Sequence, residues 1–469
     1  MLYICYAKKY WIKNIVKCFG SRSLKFHLIP MTSDRFDSPI PVCISALHYV
    51  LTLGVAAASY IVTSQSVFRK VEGDAAIVAD RRPVLNILFA FFAFWTTTQV
   101  AAGDVVEVVY LEIQTPRPPI LSTLERRPDD IGYSGAQVGL NDINSTGAFL
   151  GQKYKLRKVT VPVEEDPLEA ATHILGSSGL LVLDAPAEVL TGIADLPAAK
   201  AALLFNASSG DLSLRNDACR PNLLHTVSSD AMRTDALAQF FLSKRRTDLA
   251  MITGKHARDQ AYAIAVRRSL RKFGLELKAE KVWGFESDMR RSAAQEVPIF
   301  TQELGDYDTL IVADEWHDFG RYLLYNTWHA RPVAGSEGLT AVTWSPVIEN
   351  WGAVQLQRRF EALAGRGMTS EDYAAWAALR TIGEAVSRTG SNDPVALRAY
   401  ILSEDFEIAG FKGRPLTFRN WNGQLRQPIA LAHARALVAT APLEGFMHQS
   451  NTLDSLGFDR PESTCAAFQ

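Results

Sequence analysis

LAMITGKHARDQAYAIAVRRSLRKFGLELKAEKVW, residues 249–283, opens with a short apolar run, Leu249-Ala250-Met251-Ile252, long enough for a strand. A polar turn follows, Thr253-Gly254-Lys255-His256, and then Tyr262, Val266, Leu270 and Phe273 recur at helical spacing. Those four make one apolar stripe, while Arg267, Arg268, Arg271 and Lys272 are expected on the solvated side. Gly274 stands where a helix end favours a left-handed residue. Residues 275–282 read as a second strand. Such a strand–helix–strand crossover calls for a parallel sheet with helices on its faces, hence an α/β fold. Open parallel sheets bind ligands beyond the carboxyl ends of their strands.

The same alternation extends on both sides. Toward the N-terminus, residues 105–113 form a near-continuous apolar run, the pattern of a buried central strand. Residues 135–143 predict a helix, 154–161 a strand, 167–175 a helix, 179–183 a strand, 187–196 a helix and 201–205 a strand, as in a doubly wound lobe. Ser228-Ser229-Asp230 caps a helix running through Phe241. Toward the C-terminus, 308–313 predicts a strand, and 331–345 carries the chain out of a second lobe. Helices are expected at 373–386 and 394–402. Asn422-Gly423, between Leu416-Thr417-Phe418 and residues 428–432, signals a hairpin.

The chain has 469 residues, 48% hydrophobic and 21% charged, with a formal net charge of -1. That is globular composition with length for two domains, and near-zero charge argues against a nucleic-acid partner. Residues 1–103 do not read as one domain. Arg81-Arg82, an apolar core at 84–95 and small residues at Val100 and Ala102 make a secretory signal peptide, with cleavage expected near Ala102. The apolar stretch at 44–62 approaches bilayer-spanning length. Initiation near Val78, with the preceding residues untranslated, and a membrane anchor at 44–62 are the two readings of this leader. Of five cysteines, Cys219 and Cys465 lie outside it; a disulfide between them in an exported chain and two free thiols are both open.

Enzyme signatures are missing. No Gly-rich dinucleotide fingerprint follows the strand at 105–113, and there is no P-loop. Gly132-Tyr133-Ser134-Gly135-Ala136 lacks the last glycine of a nucleophile elbow, so Ser134 reads as a helix cap. Asp314-Glu315-Trp316-His317 has half of a metalloprotease motif without its second histidine, and no catalytic residue, metal or cofactor is assigned. The loops after successive strands are more informative: Gln114-Thr115, Asp184-Ala185, Asn206-Ala207-Ser208-Ser209, Lys255-His256, Glu315-Trp316 and Ser336-Glu337-Gly338. Polar and small residues recur where a cleft between two lobes would lie, which points to a small polar ligand.

From Asp104 to about His433, the order of elements resembles type I periplasmic solute-binding proteins of the Leu/Ile/Val-binding class, which feed ABC importers. The resemblance rests on 105–113, 201–209, 222–241, 251–274, 308–314, 331–340, 368–389 and 393–418. The segment Phe418-Arg-Asn-Trp-Asn-Gly-Gln-Leu-Arg-Gln-Pro428 and the tail Leu456-Gly-Phe-Asp-Arg-Pro-Glu-Ser-Thr-Cys465 are similar to a subfamily encoded with PQQ-dependent alcohol dehydrogenase systems. The resemblance implies two Rossmann-like doubly wound lobes joined by three hinge crossings, near His225, Leu339 and Phe411. Residues 104–225 and 339–410 would form the first lobe, 226–338 and 411–433 the second, and 434–469 a tail. It further implies that Ser208 and Ser209 hold a ligand carboxylate and Glu337 its ammonium, with Thr115, Asp184, Ala185, His256, Glu315 and Trp316 lining the same cleft. The acid at Asp184, where amino-acid binders offer Gly or Ser, departs from that pattern and directs expectation toward a cationic, neutral or alcohol-derived ligand. The implied partner is an ABC permease, with a functional link to a PQQ-dependent dehydrogenase. An accessory factor or enzyme of alcohol oxidation and a tethered ligand sensor are the alternatives.

Overall fold

The computed structural model describes residues 105–116, 127–285 and 289–468. The expected leader core at 84–95 and the apolar stretch at 44–62 lie outside the described residues.

The crossover at 249–283 forms as its pattern dictates. Strand β6 (Leu249–Thr253) is buried throughout, helix α5 (Ala257–Lys272) packs across it, and β7 (Leu277–Val282) pairs parallel to β6. Tyr262, Val266 and Leu270 are buried against Met251, Ile311 and Leu275. Gly274 takes φ 69°, as a helix end requires. The basic face departs from expectation: only Arg271 is fully exposed, while Arg268 and Lys272 reach the buried carboxylate of Asp235 at 2.9 and 3.1 Å. Asp235 sits on the neighbouring helix α4 (Asp230–Ser243), so the cations are drawn onto a helix pair instead of into water.

Two sheets share one winding rule. In the first, β1 (Val105–Ile113), β2 (Lys153–Val161), β3 (Leu180–Asp184), β4 (Leu203–Asn206) and β5 (Leu223–His225) are all parallel in the order β2-β1-β3-β4-β5. In the second, β7-β6-β8-β9-β10 repeats that order, with β8 (Thr309–Ala313), β9 (Val333–Gly335) and β10 (Leu339–Val342). Antiparallel β13 (Ile429–His433) and β14 (Ala436–Ala441) extend it. Helices cover both faces of each sheet, as parallel strands require. This is the two-lobed, doubly wound α/β architecture that the resemblance implies.

The first lobe's largest helix contact joins α1 (Tyr133–Leu150) to α9 (Ser370–Thr389). Glycine makes the close approach feasible: a Cβ on Gly135 would enter the Asp372 backbone, and one on Gly383 would enter the Ile143 side chain. Ser134 is inside α1 and donates to Asp130 at 2.5 Å, while the expected capping position is occupied by Gly132.

Several boundaries differ from the sequence expectation. Leu339–Val342, expected to begin the return to the first lobe, is a strand of the second sheet, and the return follows at Thr343. Residues 436–441, expected as tail, are strand β14 of that sheet. The chain does bend at Asn422-Gly423, but through a four-residue loop, 420–423, in which the Arg419 N–H donates to the Gln424 carbonyl at 2.9 Å; it closes Phe418 on Leu425 and pairs Gln424 with His225 at the edge of the first sheet. Leu416 pairs instead with Ile408, and residues 429–433 join β10. A turn signal marks a local bend, whereas strand partners are chosen by burial. The chain therefore passes between the lobes after His225, after Val342 and after Leu425, each time through polar residues that hydrogen-bond one another. Thr343 Oγ1 donates to Ser228 Oγ at 2.9 Å, and Gln427 Nε2 donates to the Thr226 carbonyl at 3.0 Å.

Candidate functional site

In a sheet wound in this order, the strand order reverses between the first strand and the third, leaving a crevice at their carboxyl ends. In the first sheet that switch point lies between β1 and β3, and Thr115, Asp184 and Ala185 stand there. Ser208 and Ser209 follow at the end of adjacent β4. In the second sheet it lies between β6 and β8, and His256, Glu315 and Trp316 stand there, with Glu337 just beyond neighbouring β9. All nine residues thus occupy the carboxyl edges of the two sheets.

The first-lobe rim is internally hydrogen-bonded. Asn206 Oδ1 accepts from the backbone N–H groups of Ser208 and Ser209 at 3.2 and 2.9 Å. Ser208 Oγ accepts from the Ala185 N–H at 3.0 Å. The backbone N–H groups of Ser208 and Ser209 are therefore satisfied within the loop, while the Ser208 hydroxyl donates to the Ala185 carbonyl only at 3.4 Å. Asp184 Oδ2 accepts from Tyr110 Oη at 3.3 Å; burial raises its pKa, opposed by the nearby Arg127.

On the second lobe, Arg233 and Arg258 meet Asp230 and Glu315 in one network. Arg233 grips Glu315 with both terminal nitrogens, at 2.7 and 3.0 Å, and reaches Asp230 at 3.1 Å. Arg258 pairs with both oxygens of Asp230 and lies 3.4 Å from Glu315. Ser336 Oγ donates to Glu315 at 2.9 Å. Burial would raise the Glu315 pKa, but the two guanidinium groups prevail and lower it to about 2. The Asp230 N–H donates to the Gly210 carbonyl at 2.8 Å, so this network abuts the first lobe's Ser208-Ser209 loop at the back of the cleft.

Two inner acids hold the second-lobe loops. Asp259 accepts from the N–H of His256 at 3.2 Å and from that of Glu315 at 2.7 Å, and burial pushes its pKa up to about 6. Asp314 accepts three backbone N–H groups, from Asp318, Phe319 and Gly320, and so serves the turn instead of a metal. Among the described residues no cluster of histidine, cysteine and acidic side chains has metal-binding geometry. Glu337 is engaged: His317 Nδ1 lies 3.2 Å from its carboxylate, which raises the His317 pKa. His256 Nε2 lies 2.6 Å from Asp318, and its ring stands against Trp316 with centroids 5.6 Å apart.

Sequence reasoning did not single out Asp230, Arg233 and Arg258, which form this network. Asp230 was legible only as part of a helix start, and Arg258 as a first-turn residue after β6. The convergence of the two arginines on Glu315 joins residues 57 or more positions apart. Two concavities of about 380 Å³ each lie at the opposite end of the second sheet, around Pro332, Val333 and Leu339 at the strands' amino ends.

No protein-family model matches the chain, and no curated protein matches it by sequence. Solved structures do match in three dimensions. The fold is similar to a branched-chain amino acid ABC transporter periplasmic ligand-binding protein from Burkholderia xenovorans, at a TM-score of 0.61 and 16% identity over 78% of this chain and 100% of that one. It is also similar to a solute-binding protein of an ABC transporter from R. palustris, solved with benzoate, at a TM-score of 0.56 and 13% identity over 77% and 100% of the chains. A leucine-, isoleucine-, valine-, threonine- and alanine-binding protein from Brucella ovis, in a closed conformation, aligns at 0.55 and 14% identity over 71% and 90%. At these identities the likeness shows the fold alone.

Proposed function

We propose that the protein is a periplasmic solute-binding component of an ABC importer, closing over a small polar molecule that neither lobe transforms. The observation that carries this reading is the pair of switch-point edges, each lined by polar side chains, on two lobes joined by hydrogen-bonded crossings. Solute-binding proteins share this fold, including the amino-acid and benzoate binders above. A ligand with different affinity for the open and closed arrangements shifts their populations, and an importer's permease reads the closed one.

A free amino acid held carboxylate-first is disfavoured on this reading: Asn206 already accepts from the N–H groups of Ser208 and Ser209, and Asp184 would repel a carboxylate. The rim instead suits a molecule that presents hydrogen-bond donors to Asp184, a neutral alcohol or a cation, with Trp316 and His256 as an aromatic wall. The tail's similarity to proteins encoded with PQQ-dependent alcohol dehydrogenases directs the search to alcohols and their oxidation products. The test is a thermal-shift screen of the exported chain, from Gly103 onward, against alcohols, polyamines, organic acids and amino acids. A true ligand raises the melting temperature with concentration by mass action. Turnover of an alcohol by the isolated protein, abolished by Asp314→Asn or His317→Ala, would replace this reading with an enzymatic one.

A further inference from the structure

The C-terminal segment joins the lobes a fourth time, and it does so through consecutive residues held from opposite sides. Leu456 is buried in the second lobe's core beside Met232, Phe241 and Leu270. Its carbonyl accepts from Arg419 at 2.6 Å, and Arg419 belongs to the turn paired with the first sheet's edge. The next residue, Gly457, is held by the second lobe: its N–H donates to Asp235 at 2.8 Å, and its carbonyl accepts from Lys272 and Arg268 at 2.9 and 3.0 Å. The Phe458 carbonyl then returns to Arg419 at 3.2 Å, while its ring lies under the Arg268 guanidinium at 4.2 Å.

Beyond this double grip the segment crosses to the first lobe. Glu462 still binds Arg268 and Lys272 at 3.1 and 3.0 Å. Ser463 Oγ donates to the Arg215 carbonyl, the Thr464 N–H donates to Asn216, and Cys465 forms a disulfide with Cys219. Phe468 packs on the first lobe's core. Gly457 takes φ 82°, and a Cβ there would press on Met232, so the bend that lets both lobes reach the segment needs glycine. Asp235 and Arg419 are fully buried, and each is satisfied largely by this segment and the cations that hold it.

We infer that residues 453–465 are a strap pinning the lobes beside the hinge, so that the disulfide and the Asp235 grip together set how freely the three crossings move. The inference concerns lobe motion and does not depend on the ligand. Eight residues between Leu456 and Cys465, clamped at both ends, leave little slack for the lobes to separate at this point. Rotation about it is what remains.

The test is hydrogen exchange by mass spectrometry on the full chain, comparing the parent with Cys219→Ser/Cys465→Ser and with Asp235→Asn, which leaves the disulfide in place. Reduction of the parent breaks the same link without a substitution, should the double variant fail to fold. The expected result is at least fivefold faster exchange in peptides covering 226–229, 343–345 and 426–428, with peptides covering β3 and β6 unchanged. The inference is overturned if only the tail peptides change. It is equally overturned if exchange rises uniformly through both sheets, because the segment would then contribute stability and no restraint on the hinge.

Discussion

The Lys412 ammonium lies 2.6 Å from the carbonyl oxygen of Thr343, at the second passage between the lobes. It also donates to the Pro428 carbonyl at 3.1 Å, at the third passage, and stands 4.5 Å from the Tyr373 ring centre. One buried cation therefore ties two crossings through neutral acceptors, the Gln427 side-chain carbonyl being a third at 3.4 Å. The first crossing is held in similar fashion by buried Arg215, which donates to the carbonyls of Ser209, Asp211 and Val227. Carbonyl dipoles solvate these cations without fixing a countercharge that would have to move with the hinge.

Lys412→Met strands those carbonyls and is expected to cost about 1–3 kcal/mol above about pH 10.5, where no charge penalty offsets the loss, read from denaturant midpoints. Burial pulls the Lys412 pKa down to about 7. Between that value and the ordinary lysine range near 10.5, the unfolded chain binds a proton that the folded one does not, so this group makes stability rise with pH. Below about 7 its penalty is complete, and above about 10.5 it is gone. The methionine variant should lose that rising limb; an unchanged pH profile would remove Lys412 as its source.

Glu315→Ala leaves Arg233 and Arg258 with Asp230 alone in a largely buried site. Breaking such a network by removing one partner is expected to cost about 3–5 kcal/mol. Because the arginines hold the Glu315 pKa at about 2, its contribution in the parent is present above the unfolded value near 4.5 and is lost as pH falls toward 2. Acid titration of the melting temperature in parent and variant checks both statements.

Asp184→Ser places at the first-lobe switch point the type of residue that amino-acid binders carry there. It should weaken binding of a donor-rich cation or alcohol by about tenfold or more, equivalent to ~1.4 kcal/mol. It should also bind carboxylate ligands more tightly than the parent does, read by calorimetry with both ligand classes. Equal affinities in parent and variant would take Asp184 out of the site.

Gly135→Ala drives a methyl into the Asp372 backbone at the contact of α1 with α9. Overpacking against backbone has no side chain to yield, so a loss of about 1–3 kcal/mol is expected, seen as a lower melting temperature. Gly151→Ala should behave differently. Its added methyl would meet nothing within 4 Å, and only its left-handed φ of 70° would resist.

Much of the fold was legible because it is written in local pattern. The alternation of short apolar runs with striped helices reports the doubly wound sheets wherever both neighbours in sequence are also neighbours in space, as from Leu249 to Val282. Polar residues at strand ends marked the cleft edges for the same reason, since a strand's carboxyl end is fixed by the strand itself. Partnership was not legible. Arg268 and Lys272 look solvated on a helical wheel, yet Asp235 on the adjacent helix and Gly457 from the far end of the chain turn them inward. Glu337 has the type and position of a ligand-binding acid, but His317 occupies it. The chain's order thus determined the elements, their winding and the polar carboxyl edges of the sheets. Tertiary structure alone decided which charges face the cleft and which hold the hinge and tail, because a buried ion's role is set by the partners that desolvation forces upon it.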